Sequence, residues 1–153
     1  MNITLRQFLK KNDMNVSEGS LHNQKDQQNL LRRLIKGCRK GMQIGFNAGD
    51  SADLFLDETG GILTSFDINR HNYVAVGNKY MNLKYPKKHT LIKGDSTIVL
   101  PKQKTKKYEY IYIDGGHTFT VADQDIKNCK RFSTPKTIVI IDDYVSKRDW
   151  IKG

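Results

Sequence analysis

No apolar stretch in this 153-residue chain approaches the ~20 residues that a membrane-spanning helix needs, so none is expected. The N-terminal segment, MNITLRQFLKK, carries no apolar signal run, which argues against secretion. Cysteine is scarce. Cys38 and Cys129 share no metal-ligand spacing and read most simply as reduced thiols in a cytoplasmic protein. Internal repeats and low-complexity tracts are missing. The one glycine-rich turn that follows a strand-like run is neither Gly-x-Gly-x-x-Gly nor a P-loop, since no Gly-Lys-Ser/Thr follows it.

Acidic residues are the minority charge, 16 against 26 Lys and Arg, which leaves a formal charge of +10. The excess is scattered in pairs such as Arg32-Arg33, Arg39-Lys40, Lys87-Lys88 and Lys106-Lys107. Such pairs most often form solvated faces. A nucleic-acid surface is the other reading, but no basic stripe with interleaved aromatics favours it.

What is present is a repeated pattern of apolar runs that end in acid. Ile62-Leu63-Thr64-Ser65-Phe66 meets Asp67, Tyr110-Ile111-Tyr112-Ile113 meets Asp114, and Thr137-Ile138-Val139-Ile140-Ile141 meets Asp142-Asp143. Runs of this kind read as strands buried on both faces, which belong to parallel sheets. A carboxylate just past each strand falls on the C-terminal rim, where open α/β sheets bind ligands.

The remaining segments fit between these strands. An apolar pattern at Ile3, Leu5, Phe8 and Leu9 precedes a loop over residues 12–20. Residues 21–38 place Leu30, Leu31, Leu34, Ile35 and Cys38 on one helical face. Residues 42–48 read as the first strand, 51–58 as a helix, 71–83 as a helix closed off by Pro86, and 89–93 as the third strand. A charged surface loop spans 102–107. Residues 121–132 form a helix with Val121, Ala122, Ile126 and Cys129 facing inward. The alternation predicts βαβ units in a doubly wound, Rossmann-like, mostly parallel sheet. An N-terminal helical segment, 1–41, would precede an α/β domain, 42–153.

The first strand runs into Gly45-Phe46-Asn47-Ala48-Gly49-Asp50-Ser51, whose small residues let a ligand approach the backbone where a helix begins. Asp67 lies 22 residues after Gly45, at the end of the next strand, where a carboxylate can hold both hydroxyls of a ribose. A cap or turn role for Asp67 is the alternative.

In these motifs, namely IGFNAGDSA, SFDI, LIKGDS with YIYIDGGH, and IVIIDDY, the chain resembles the class I S-adenosylmethionine-dependent methyltransferases, over about residues 42–144. The nearest likeness is to the methyltransferase domain 24 group, related to metal-dependent O-methyltransferases of the catechol and caffeoyl-CoA type. The resemblance implies S-adenosyl-L-methionine as cofactor. It sets Gly45, Asn47 and Gly49 beside the methionine part, Asp67 on the ribose, and Asp95 with Ser96 near the adenine. The chain departs from the family pattern at Gln43, where an acid is usual, and at Asn47, where the middle glycine is usual. A neutral Gln43 would supply no negative charge near the sulfonium and weakens the expected cofactor site.

Asp114, Asp142 and Asp143 form a second constellation. Neighbouring strands lie about 4.8 Å apart, so these carboxylates should converge. Three oxygen ligands without cysteine suit Mg²⁺, Mn²⁺ or Ca²⁺, and Mg²⁺ is the expected divalent cation. Helix capping or loop hydrogen bonding is the alternative. His117, at the mouth of the same site, could be a base for the acceptor proton, a ligand or a structural hydrogen-bond partner, and a structural or substrate-orienting role is favoured over the base. His22, His71 and His89 have no clustered partners; His71, close after Asp67, reads as a surface histidine, with a place at the border of the adenosine pocket as the alternative. Tyr144 and Trp150 could wall the acceptor pocket.

The expected function is therefore metal-assisted O-methylation of a small-molecule or glycan acceptor. A non-catalytic interaction module of the same fold and a nucleic-acid methyltransferase are the alternatives, the second weakened by the lack of an Asn-Pro-Pro-Tyr-type motif. The family's last pair of strands is not visible before the sequence stops, nine residues after Tyr144. That implies a naturally short relative or a fragment, with an exposed sheet edge open to pairing in a homodimer.

Overall fold

The computed structural model describes residues 3–17 and 19–142. Helices α1 (Leu5–Lys11) and α2 (Lys25–Ile35) lead into β1 (Lys40–Ile44), α3 (Asp50–Thr59), β2 (Ile62–Asp67), α4 (Asn72–Lys84) and β3 (His89–Lys93). The chain continues through α5 (Ser96–Val99), β4 (Tyr110–Ile113), α6 (Phe119–Cys129), a 3-10 turn at Lys130–Phe132, and β5 (Ile138–Ile141). The sheet order is β3-β2-β1-β4-β5, and every pairing is parallel. This is the doubly wound, Rossmann-like sheet that the alternation predicts. The order reverses between β1 and β4, the switch point at which such sheets bind ligands.

Strand β4, beside the central strand β1, shows why the runs are apolar throughout. Its side chains alternate between two buried layers. Tyr110 and Tyr112 pack with Phe55, Ala52, Tyr73 and Tyr80 on one side of the sheet. Ile111 and Ile113 pack with Met42, Ile44, Leu100 and Phe132 on the other. Phe55 meets both tyrosine rings edge-on, at centroid distances of 5.4 and 5.2 Å, a geometry that adds to simple area burial.

Local signals set the helix ends. Thr4 and Gln7 form a reciprocal capping box at α1. Thr118 caps α6 by accepting from the Val121 amide. Gly49 and Gly60 bracket α3 in the left-handed region, at φ 101° and 59°. Helices α1 and α2 bring Leu5, Phe8, Leu9, Leu31 and Ile35 into the same apolar layer as α3 and α4. No helix among the described residues is long and apolar enough to cross a membrane.

Two helix faces differ from the periodicity reading. Leu31 and Ile35 of α2 are buried, but Leu30 and Leu34 are exposed, because only a narrow stripe of the helix packs into the core. On α6, Ile126 is exposed and its neighbour Asp125 is fully buried. Asp125 Oδ2 would lie 3.1 Å from a Cβ placed on Gly115, so the helix turns this carboxyl beneath the loop that follows β4. Burial raises the Asp125 pKa.

His89 opens β3 and is buried, its ring stacked on Phe46 at 5.1 Å. Its Nε2 shares a 2.8 Å hydrogen bond with Ser65 Oγ, and its Nδ1 has no partner among the described residues. A second ring proton would be unsolvated, and burial lowers the pKa from 6.5 to about 4. The unfolded chain therefore takes up a proton below pH 6.5 that the folded chain refuses until about pH 4. Stability from this group is complete above pH 6.5 and lost as pH falls to about 4, amounting to roughly 3 kcal/mol across the window. Asp50 and Asp125, both raised by burial, contribute the opposite slope. The difference between proteins isolates the histidine: denaturant midpoints of His89→Phe should fall less than wild type between pH 6.5 and 4.5. Parallel pH profiles for the two would refute the assignment.

Candidate functional site

Five strand ends open into one cleft of about 990 Å³ along the C-terminal rim, a size suited to a cofactor-sized ligand. Its floor is the turn after β1. Gly45 has φ 87°, and a Cβ there would lie 1.8 Å from the Asp114 carbonyl oxygen, so only glycine fits where β1 and β4 meet. Asn47 also adopts a positive φ, 53°, which asparagine tolerates better than most residues. Its side-chain amide donates to the Gly19 carbonyl at 3.1 Å and ties the turn to the segment between α1 and α2.

Asp67 braces this turn. Its Oδ2 accepts from the backbone N–H groups of Phe46 and Asn47, at 2.9 and 2.8 Å, and its Oδ1 accepts from Asn69 N–H at 2.6 Å. A carboxylate offers about four acceptor positions, so capacity remains toward the cleft. Asp95 accepts from both the amide and hydroxyl of Thr97, at 2.9 and 2.7 Å, which caps α5. Asp95 and the following Ser96 line the cleft.

Asp114 and Asp142 face each other across the hydroxyl of Tyr112. The phenol donates to Asp142 Oδ2 at 2.5 Å and also lies 3.3 Å from Asp114 Oδ2. Gln27 of α2 donates to the same Asp142 oxygen at 2.8 Å. Burial first, then the two carboxylates, drive the Tyr112 pKa far above its ordinary value, so the proton stays on the phenol. Among the described residues no three His, Cys, Asp or Glu side chains gather as a metal-ligand group. Asp143, the third ligand expected, lies outside the described residues, as do Tyr144 and Trp150.

Gly45, Asn47, Asp67, Asp95, Ser96, Asp114, His117 and Asp142 all line this one cleft. Gly49 does not. It sits behind the rim, where a Cβ would press on the Phe46 ring at 2.9 Å, and serves the start of α3. Gln43 is also withdrawn: its side chain is fully buried beneath α3 and accepts from Ser51 Oγ at 3.3 Å. Its neutrality therefore bears on the packing under the turn more than on the cleft. His117 is exposed at the mouth. His71 borders the cleft, the second of the two positions expected for it, with its ring stacked on Tyr73 at 4.7 Å.

Sequence reasoning missed the wall contributed by the N-terminal segment. Ser20, Gln24 and Gln27 line the cleft, and Arg6 forms an ion pair with Asp50 at the head of α3. Polar residues on a helix face look solvated in sequence, and only the packing of α2 over the rim reveals them.

The charge of the cleft is opposite to that of the protein. Asp50, Asp67, Asp95, Asp114 and Asp142 line it, against one arginine, Arg70. A family model described as a methyltransferase domain matches residues 42–144. The chain belongs to this methyltransferase-domain family. Its matched span begins inside β1 and takes in every cleft carboxylate named above.

Solved structures share the fold. The SAH-bound methyltransferase PaMTH1 of Podospora anserina aligns with a TM-score of 0.73 at 13% identity, over 90% of this chain and 61% of that one. The O-methyltransferase TomG of Streptomyces achromogenes, involved in tomaymycin synthesis and solved with SAM, gives 0.69 at 16% identity, over 90% and 62%. An O-methyltransferase from Bacillus cereus in complex with SAH gives 0.66 at 16% identity, over 97% and 72%. The chain thus spans less than two thirds of the length of PaMTH1 and TomG. No functionally curated protein matches it.

Proposed function

We propose that this methyltransferase-domain protein transfers the methyl group of S-adenosylmethionine to a hydroxyl oxygen of a small molecule or sugar, assisted by a divalent cation. The observation that carries the reading is the acid-lined cleft, in which a glycine-only turn braced by Asp67 lies beside the Tyr112-bridged pair Asp114 and Asp142. When bound, the cofactor supplies an electrophilic methyl on a positively charged sulfonium. The cleft carboxylates give that charge a favourable field, and Gly45 leaves the backbone approachable at the floor.

The residues fit an oxygen-loving cation in donor chemistry. Asp114 and Asp142 present hard carboxylate oxygens within reach of one hydroxyl, and the following Asp143 would add a third. When bound, such a cation lowers the pKa of an acceptor hydroxyl and orients it. Tyr112 and Gln27 hold Asp142 in place through its Oδ2. His117, exposed at the mouth, is placed to orient the acceptor or take its proton to solvent. The two free thiols, Cys38 half-buried and Cys129 buried, suit a cytoplasmic setting.

Removing the Tyr112 hydroxyl separates acceptor chemistry from cofactor binding. Tyr112→Phe should leave affinity for S-adenosylhomocysteine within about threefold, yet lower methyl transfer roughly 10–100-fold, the usual cost of losing a group that orients a ligand carboxylate. Mass spectrometry of methylated products from a panel of catechols, phenols and sugars supplies the activity readout. Equal activity in excess EDTA and in Mg²⁺ would refute the cation's part, and no methylated product from any hydroxyl acceptor would refute the O-methylation reading.

A further inference from the structure

The positive charge of this protein is polarised by its topology. Segments entering four of the five strands are basic, while segments leaving the strands are acidic. Strand β2 is the exception, entered through Asp57-Glu58-Thr59-Gly60-Gly61, whose two acids are ion-paired with Arg32. Arg39 and Lys40 stand at the start of β1, Lys88 precedes β3, Lys107 precedes β4 and Lys136 precedes β5. The 102–107 loop alone carries four lysines in six residues, all exposed. This places a cationic row across the base of the sheet, at the pole opposite the carboxylate-lined cleft. Four strand-to-strand steps at ~4.8 Å make the row roughly 19 Å long.

The row is organised by contacts that leave its charge intact. Arg131 donates to the carbonyls of Pro101 and Gln103, at 2.7 and 3.1 Å, and to Thr105 Oγ1 at 3.0 Å. Lys107 donates to the carbonyls of Arg131 and Ser133, at 3.0 and 3.1 Å. Lys88 Nζ donates to the Gly60 carbonyl at 2.8 Å. These cations hold the basal loops together by binding neutral carbonyls, so the loops are ordered and remain positive. The acid beside them, Glu109, accepts from the Arg39 and Lys40 backbone amides.

We infer that this basal pole is a docking surface for the phosphate backbone of a nucleic acid, separate from the methyl-transfer cleft. Lysines in a row read phosphates as point charges. The 102–107 loop, KQKTKK, offers no apolar side chain to insert into a bilayer and no ring for a base to stack on. Both points favour a sequence-independent backbone contact over a lipid surface or base readout. Strands of four to six residues separate the row from the cleft, roughly 13–20 Å at ~3.3 Å per residue. A strand docked on the row is therefore held away from the methyl-transfer site, which makes it a tether or scaffold and not the acceptor. The inference does not depend on the O-methylation reading.

Fluorescence anisotropy with a labelled 20-nucleotide RNA and a 20-base-pair DNA tests it. With six phosphates engaged, affinity for the DNA should fall about a thousandfold between 50 and 200 mM salt, and for the single-stranded RNA about three-hundredfold. Lys102→Glu with Lys104→Glu and Lys106→Glu should reduce the log–log salt slope by about three, leaving a fall of only about fortyfold for the DNA over the same range. These lysines are exposed, so the triple variant should keep the wild-type thermal midpoint and its affinity for S-adenosylhomocysteine. A control that reverses Lys10, Lys11 and Lys25 changes net charge equally, away from the row, and should lose less than threefold. The proposal is overturned if neither nucleic acid binds at 50 mM salt or if both triples lose affinity alike. Binding to phosphatidylserine vesicles as tight as to RNA would also overturn it.

Discussion

Gly45→Ala should be among the most damaging single-methyl additions in the sheet. The added carbon would lie 1.8 Å from the Asp114 carbonyl oxygen, and that atom is backbone in the central strand region, with no flexible end to swing aside. The φ of 87° adds a conformational cost that falls on any L side chain. Gly37 provides the control. Its φ is 85°, and a Cβ there would meet nothing within 4 Å. Gly37→Ala should therefore show the backbone cost alone, about 1 kcal/mol. Gly45→Ala should lose about 3 kcal/mol or more, since overlap is added to strain, or roughly 6–12 °C in thermal midpoint for a chain of this size. Cofactor binding should go with it, because the turn and the Asp114 carbonyl must move apart. Equal losses in the two variants would show that β1 and β4 do not meet this closely.

Asp67→Ala should follow closely in severity and act on binding more than on folding. The substitution leaves the Phe46 and Asn47 amides without their shared acceptor, and each unpaired buried donor costs about 1–3 kcal/mol. Water reaches the half-open cleft and relieves part of this, so a loss of about 2 kcal/mol is expected. Affinity for S-adenosylhomocysteine should fall at least a hundredfold, since both the floor of the cleft and the proposed ribose contact are lost. Asp67→Asn keeps one oxygen that can accept from both amides, so its stability should stay within about 1 kcal/mol of wild type. Its cofactor affinity should still fall tenfold or more, because the amide nitrogen cannot accept from a ribose hydroxyl. Wild-type affinity in the asparagine variant would assign Asp67 to the turn alone.

Much of this arrangement is legible in the sequence because strands buried on both faces leave a continuous apolar run. The tetrad Tyr110-Ile111-Tyr112-Ile113 could be little else, and the acid after it had to fall on the rim. Asp67 showed through for the same reason, although its grip on two amides of the preceding turn is a matter of geometry that spacing cannot express. The helices were harder. Leu30 and Leu34 share the apolar periodicity of Leu31 and Ile35, yet α2 buries only the narrower stripe. Asp125 breaks the pattern in the other direction, as an acid turned inward beneath the Gly115 loop.

The N-terminal wall was invisible for a different physical reason. Gln27 reaches Asp142 across 115 positions of chain, and a glutamine on a polar helix face carries no local mark of such a contact. The polarity of the whole molecule was equally hidden. The basic pairs look scattered along the chain, and they become a row only when parallel strands bring all their starting ends to one pole.

Isothermal titration of the folded protein with S-adenosylhomocysteine tests the central claim most directly, because it asks only whether the acid-lined cleft is a cofactor site. The account predicts one-to-one binding at micromolar concentrations, unchanged by the basal charge reversals and lost in Asp67→Ala protein that still unfolds cooperatively. No heat of binding at high micromolar ligand, from protein shown to be folded, would contradict it.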